Sequence, residues 1–311
     1  MSFQYLFGPV PSRRLGISLG VDIVPHKTCT LDCIYCECGK TTDLTIDRKI
    51  YFNVNEIKRE LDFFLYEKPK LDFITFSGSG EPTLNSKISE ITRFIKSKFP
   101  EYKIALLTNG TLFYDSNVKS EICDVDLLKI SIDAATEKTF QLINRPHPEL
   151  NLSQIIEGIF ELKKDFSSKI WIEVFLVSGL NDTDSELSEL KKVISLIEPD
   201  KIQLNTIDRP GTESFVKQVD EKKLKDISSY LFNAEIISRF NSKIKTGVFK
   251  DITGEAILAT LKRRPCTVKD ISEILSLDEE NIKNYLELLL NSNKILKTTM
   301  QRGVFYLAKE K

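Results

Sequence analysis

Between Ile17 and Thr206, apolar runs bounded by turn residues alternate with stretches of helical period. That alternation restricts the fold to a parallel sheet with helical crossovers. The runs expected as strands are Ile17 to Val24, Leu71 to Phe76, Ile104 to Leu107, Leu127 to Ile132, Ile170 to Val177 and Ile202 to Thr206. Between them, one-faced helices are expected at Val54/Ile57/Leu61/Leu65, Ile88/Ile91/Phe94/Ile95, Ile155/Ile159/Leu162 and Leu187/Leu190/Ile194/Ile197. Right-handed crossovers curl such units into a partial (β/α)6 barrel or an open sheet, with reactive groups on loops at the carboxyl ends of the strands.

The pattern changes after Ile244. Three short amphipathic stretches are followed by a hairpin pattern around Gln301-Arg302-Gly303, the order of a winged helix-turn-helix. The expectation is an α/β chain with a barrel domain over 1–245 and a winged-helix module over 250–311. From Asp251 to Lys311 there are ten Lys plus Arg and nine Asp plus Glu. The third helix of that module opens on Asp278-Glu279-Glu280, so it is a poor DNA reader; Lys262, Arg263, Arg264, Lys297 and Arg302 are the candidates for a local basic patch. The whole chain carries 44 basic and 45 acidic residues, which leaves no global field to draw in nucleic acid or an anionic membrane. No apolar run reaches membrane-spanning length and Met1 to Arg14 lacks a signal-peptide core, so a cytoplasmic protein with reduced thiols is expected.

The loop after the first expected strand reads Cys29-Thr30-Leu31-Asp32-Cys33-Ile34-Tyr35-Cys36. Three thiolates at this spacing can each bind one iron of a cubane cluster and leave the fourth iron open. Cys38 follows at once, so a closed four-thiolate zinc site and a disulfide are the competing readings. Structural zinc sites pair cysteines two to four residues apart and draw a second pair from a distant knuckle, and this chain has none. Cys123 and Cys266 are expected as packed small hydrophobes.

Further motifs stand on later strand ends. Ser77-Gly78-Ser79-Gly80-Glu81-Pro82 follows the second strand, Thr108-Asn109-Gly110 the third, and Ser131-Ile132-Asp133 closes the fourth. Taken singly each is an ordinary turn. In this order, with Tyr35 before the third cysteine, they resemble the radical S-adenosylmethionine superfamily over about residues 18 to 210. The resemblance implies that Cys29, Cys33 and Cys36 hold a [4Fe-4S] cluster whose open iron takes S-adenosylmethionine. It implies that Tyr35, Gly78, Gly80, Glu81, Asn109, Ser131 and Asp133 surround that cofactor, with Glu81 near the methionine amino group. It also implies an electron donor such as flavodoxin or ferredoxin, and a substrate, small or macromolecular, from which hydrogen is abstracted. The Phe7-to-Gly16 opening, the Glu37-to-Thr42 run and Asn144-Arg145-Pro146 resemble iron-sulfur oxidoreductases grouped with wyosine-type tRNA base synthases. Those synthases carry a second cysteine set upstream; here no cysteine precedes Cys29.

Some residues invite two readings. Glu186 is read as part of a capping box with Thr183 ahead of Leu187 rather than as a cofactor ligand. His26 is a turn residue or a group that orients a thiolate. Arg13, Arg14, Arg145 and Arg209 fall in loops and are either anion-binding or paired between loops; the proline after Arg145 and Arg209 predicts extended backbone at both.

Overall fold

A computed structural model describes residues 3–12, 14–237, 254–275 and 277–309. Arg13 and the expected domain boundary at 245–250 lie outside the described residues. In chain order the elements are β1 (Leu6–Ser12), β2 (Gly16–Val21), β3 (Thr28–Cys29), β4 (Asp43–Leu44), α1 (Val54–Leu65), β5 (Phe73–Phe76), a 3-10 turn (Pro82–Leu84), α2 (Ile88–Lys98), β6 (Ile104–Thr108), α3 (Ser116–Glu121), β7 (Leu127–Ser131), α4 (Glu137–Ile143), α5 (Leu152–Asp165), β8 (Lys169–Leu176), α6 (Asp184–Ile197), β9 (Lys201–Thr206), α7 (Glu221–Tyr230) and β10 (Glu235–Ile236). Then come α8 (Gly254–Arg263), α9 (Val268–Leu275), α10 (Glu279–Asn291), β11 (Ile295–Met300) and β12 (Gly303–Ala308).

One sheet of eight strands runs β1-β2-β5-β6-β7-β8-β9-β10. From β2 to β10 every pairing is parallel, and each of the six expected strands is present within it. The fold is α/β with a parallel-sheet core. The helices bury the faces that their apolar spacing marks: Ile57, Leu61 and Leu65 of α1, Ile88, Ile91 and Ile95 of α2, Ile155, Ile159 and Leu162 of α5, and Leu190, Ile194 and Ile197 of α6.

Strand β1 was not expected, because Gly8, Pro9 and Pro11 read as turn residues. It pairs antiparallel with β2 at the edge of the sheet, with its register broken between Phe7 and Val10. An edge strand tolerates proline, since one side of its backbone needs no ladder partner.

Helices α8 to α10 and the hairpin β11–β12 bury a second apolar cluster built on Ile257, Leu261, Ile271, Leu286 and Ile295, among others. Val10 of β1 packs against that cluster. Arg263 bonds Asp22 at 2.7 Å and lies over the Phe7 ring, while Arg209 bonds Asp270 at 2.9 Å and Arg302 pairs with both Asp208 and Asp270. These contacts consume Arg263 and Arg302, so the basic patch expected at the C-terminal end is partly turned inward. No described helix is long and apolar enough to cross a membrane.

Candidate cluster and cofactor site

The cysteine loop leaves β2 at its carboxyl end and is braced on three sides. Cys29 lies in β3, paired in parallel with Leu44 of β4, and the Lys27 carbonyl accepts from Thr42 N and Asp43 N. The 143–147 segment forms a second brace. Asp32 N donates to the Asn144 carbonyl, Ile34 N to Ile143, and His147 N to Thr30. On the third side, Glu213 N reaches the Ile34 carbonyl at 2.9 Å and Thr212 Oγ1 the Cys36 carbonyl at 3.2 Å. A loop so tied holds its thiols in fixed directions.

The glycine segment packs directly on this loop. Lys27 N donates to the Ser79 carbonyl at 2.7 Å and Glu81 N to the Thr28 carbonyl at 3.0 Å. A Cβ on Gly80 would stand 2.2 Å from the Thr28 carbonyl oxygen, and one on Gly78 2.0 Å from Asp22 Oδ1, so only glycine allows this approach. Gly80 therefore acts first by bringing backbone to backbone, and Gly78 by making room for the Asp22 side chain.

Glu81 is buried and does not present a free carboxylate. Its Oε1 accepts from Thr83 N, Thr83 Oγ1 and Thr108 Oγ1, capping the 3-10 turn, and its Oε2 accepts from Asn109 N at 2.9 Å. Burial pushes its pKa up against these hydrogen bonds. Asn109 in turn aims Nδ2 at Thr30 Oγ1 (2.8 Å) and the Cys29 sulfur (3.7 Å).

Asp133 is also taken up internally. Its Oδ1 accepts from Phe175 N at 2.6 Å, and its Oδ2 accepts from the Tyr35 hydroxyl and from Asn144 Nδ2. Tyr35 stacks on Phe175 with centroids 4.1 Å apart. Asp133, Asn109 and Ser131 do share one cleft, walled by Ile155, Ile156 and Ile159. Its volume is about 20 Å³, room for a water and not for a nucleoside.

Two neighbours of the thiols were not singled out from sequence. Lys27, only 3% exposed, places Nζ 3.1 Å from the Cys36 sulfur. Asn144 directs Nδ2 at the Cys33 sulfur, 3.4 Å away, and at Tyr35. A sequence signal existed for Asn144 in the Asn-Arg-Pro segment; none existed for Lys27, which reads as a turn lysine. The hydrogen bond from Cys38, opposed by burial and helped by Lys27, holds the Cys36 thiol below its ordinary range. Burial pushes Cys29 up to about 12 and Cys33 higher still.

The donor chemistry fits a cluster. Three half-buried thiols face one another electrostatically, with a cation and two amide donors on their sulfurs. Among the described residues no three His, Cys, Asp or Glu side chains converge to hold a single metal ion. Ligands of a cubane each take a different iron and need not converge so tightly. Cys38 stands beside Cys36, and its thiol also meets the Arg263 carbonyl at 3.1 Å.

Other expectations are corrected here. Thr183 caps α6, but the Glu186 carboxylate does not close a capping box; it crosses to Ala135 N, Thr136 and Thr139 at the start of α4. Cys123 is exposed, because it sits in the turn after α3, whereas Cys266 is buried. His26 meets the Lys262 carbonyl rather than a thiolate. Arg145 has φ 45°, not extended backbone, and pairs with Glu213; the Asp32 amide held by its carbonyl and that of Asn144 dictates the turn. Arg209 is likewise an inter-loop pair, with Asp270, the Pro265 carbonyl and Glu37.

A sequence model of the radical SAM superfamily matches residues 23–194, more than half of the chain. The chain belongs to the radical SAM superfamily. A UPF0026 protein of Methanocaldococcus jannaschii is 30% identical over 97% of this chain and 95% of its own length. A protein of Brachyspira hyodysenteriae named GTPase Obg is 35% identical over 93% of this chain, which spans only 43% of that protein. Among solved structures, a radical SAM methyltransferase from Sphaerobacter thermophilus superposes with a TM-score of 0.55, at 14% identity, over 70% of this chain and 64% of its own. That likeness is one of fold. Members of the superfamily are enzymes, and membership implies S-adenosylmethionine and a [4Fe-4S] cluster.

Proposed function

We propose that Cys29, Cys33 and Cys36 hold a [4Fe-4S] cluster in a radical SAM enzyme, which on reduction cleaves bound S-adenosylmethionine to a 5'-deoxyadenosyl radical and so removes hydrogen from a substrate. The observation that carries the reading is that the three thiols sit in one braced loop at the carboxyl end of β2, joined by backbone hydrogen bonds to Ser79 and Glu81.

The chain's own residues have distinct tasks. Lys27, Asn109 and Asn144 place positive charge and N–H donors on the three sulfurs, which stabilises negative charge there. Glu81 fixes the loop, and its Oε2, which accepts one hydrogen bond, has a lone pair left for a ligand ammonium. Asn109, Ser131 and Asp133 form the polar rim of a cleft whose isoleucine wall suits a nucleoside once it widens. Tyr35 is held by Asp133 and Phe175 in a position to close that region.

We read strands β2 to β9 as a partial (β/α)6 barrel and residues 254–308 as a winged-helix module, with a domain boundary near 245–250. That module serves as a wall of the barrel, because its Arg263 and Arg302 meet Asp22 and Asp208 and its Asp270 meets Arg209. The same pairs count against the alternative outside enzymes, an iron-sulfur- or zinc-binding regulator that uses the winged helix; the alternative within enzymes is a radical SAM enzyme that modifies an RNA base. A cytoplasmic setting and a low-potential donor such as flavodoxin or ferredoxin follow from the chemistry.

The test is anaerobic reconstitution with iron and sulfide. About four irons and four sulfides per chain are expected, with methionine and 5'-deoxyadenosine formed after dithionite and S-adenosylmethionine are added. Retention of the cluster after any of Cys29→Ala, Cys33→Ala or Cys36→Ala overturns the assignment.

A further inference from the structure

A cavity of about 620 Å³ lies between the interior of the sheet and the C-terminal helices, with Arg14, Leu15, Ser18, Thr75 and Leu107 on the sheet side and Arg302 among the residues opposite. That volume lies in the range of small-molecule sites, roughly 300–1,000 Å³. Charges from both units close one side: Arg209 and Arg302 are bonded to Asp270, and Arg302 also to Asp208. These groups are committed to holding the wall.

Arg14 differs from them. It enters from the turn before β2, the end opposite the cysteine loop, with its backbone N–H bonded to Ser12 Oγ. Its Nη2 reaches Glu173 Oε1 at 2.6 Å. That carboxylate is not Arg14's alone: Lys129 pairs with Oε2, and Asn205 Nδ2 donates to Oε1 at 2.9 Å. Two cations thus share one carboxylate in the sheet interior, where Lys129 and Glu173 are 5% and 6% exposed at the side chain. Glu37 also lines the cavity and acts on Arg14, so what favours an anion here is the Arg14 guanidinium itself, whose buried Nε–H has no hydrogen-bond partner, rather than an excess of charge. The Arg14 side chain keeps 23% of its surface accessible although it lies deep in the molecule, and it borders the cavity. A guanidinium bonded on one face and open on the other is suited to an oxyanion.

We infer that the cavity binds a small molecule through a carboxylate or phosphate group, and that Arg14 is its specificity-determining residue. The inference rests on the reading of this cavity as the substrate chamber of a radical SAM enzyme. A folded macromolecule does not fit a cleft of this volume, so at most one residue of one could enter.

The chain offers its own reporter. Trp171, its one tryptophan, stands two residues before Glu173 on β8 and packs in a cluster with Leu15 and Leu107. Trp171 emission of the reconstituted protein is titrated with inorganic phosphate and, separately, malonate at constant ionic strength. A saturable change is expected for at least one anion, and which one responds separates phosphate from carboxylate. Arg14→Gln should weaken it by about tenfold or more, Arg14→Lys by less, and Lys269→Gln at the cavity rim not at all. No saturable response, an unchanged affinity in Arg14→Gln, or an equal loss in Lys269→Gln overturns the inference. Iron content and circular dichroism show whether Arg14→Gln has folded; if it has not, the decision passes to Arg14→Lys, where an affinity equal to or above wild type overturns the assignment. S-adenosylmethionine binding is measured in the same samples. Anion binding without it overturns the functional reading and not the site; the converse overturns the site alone.

Discussion

At the residue scale, the reactive loop depends on side chains whose importance comes from where they point. A fixed cation beside the thiols proposed as cluster ligands would favour the more reduced, more negative state, so Lys27→Gln should shift the reduction potential of the reconstituted cluster to a more negative value. A redox titration followed by electron paramagnetic resonance checks this; an unchanged potential removes Lys27 from that role. Cys38 meets Cys36 and the Arg263 carbonyl but lies outside the C-x3-C-x2-C triplet, so Cys38→Ala should retain about four irons, and iron and sulfide analysis reads the result. Glu81 is the case where structure changes an expectation. Its four accepted hydrogen bonds mean that Glu81→Gln must turn an NH2 toward a buried donor, a cost of about 1–3 kcal/mol. Chemical denaturation should show that loss, together with weaker S-adenosylmethionine binding by calorimetry. Binding lost at full stability would instead indicate direct contact with the cofactor.

At the scale of elements, long-range caps link helices that are distant in sequence. Glu186 supplies acceptors for the first turn of α4, just after the β7 loop that carries Asp133. Glu186→Ala removes the acceptor from half-buried donors at Ala135 and Thr136 and from the buried Thr139 hydroxyl. The expected loss is about 1–3 kcal/mol, seen as a lower thermal midpoint; a stability equal to wild type would show that water replaces the carboxylate without penalty. Strand β1 was illegible for a related reason. Local propensity speaks against Gly8, Pro9 and Pro11 in a strand, but pairing with β2 and the apolar contact of Val10 override it.

At the scale of the whole molecule, the C-terminal helices and hairpin complete a wall beside the site. Removing residues from 254 onward would take away Arg263, Arg302 and Asp270, which pair with Asp22, Asp208 and Arg209. The truncated chain should keep the cysteine loop and bind iron, yet unfold at lower denaturant than the intact chain. It should cleave S-adenosylmethionine without coupling that cleavage to turnover of a substrate. Product analysis by chromatography gives the ratio, and full coupling in the truncated chain would remove the module from the chamber. A double-mutant cycle on Asp22 and Arg263 reads the interface directly, with a coupling energy of about 0.5–3 kcal/mol expected for residues in contact.

The sequence alone determined the parallel sheet, because apolar period and turn residues are local signals, and it determined the three thiols, because ligand spacing in one loop is local too. Tertiary structure decided the rest. Lys27, Asn144 and Arg14 act across separations of 9, 111 and 159 residues. Glu81 and Asp133 stand at the strand ends where the motifs placed them, but only packing reveals that their carboxylates serve neighbouring donors first. A side chain's partners are chosen by the chain's path through space, and charge and hydrogen bonding at a site follow from partners rather than from residue type.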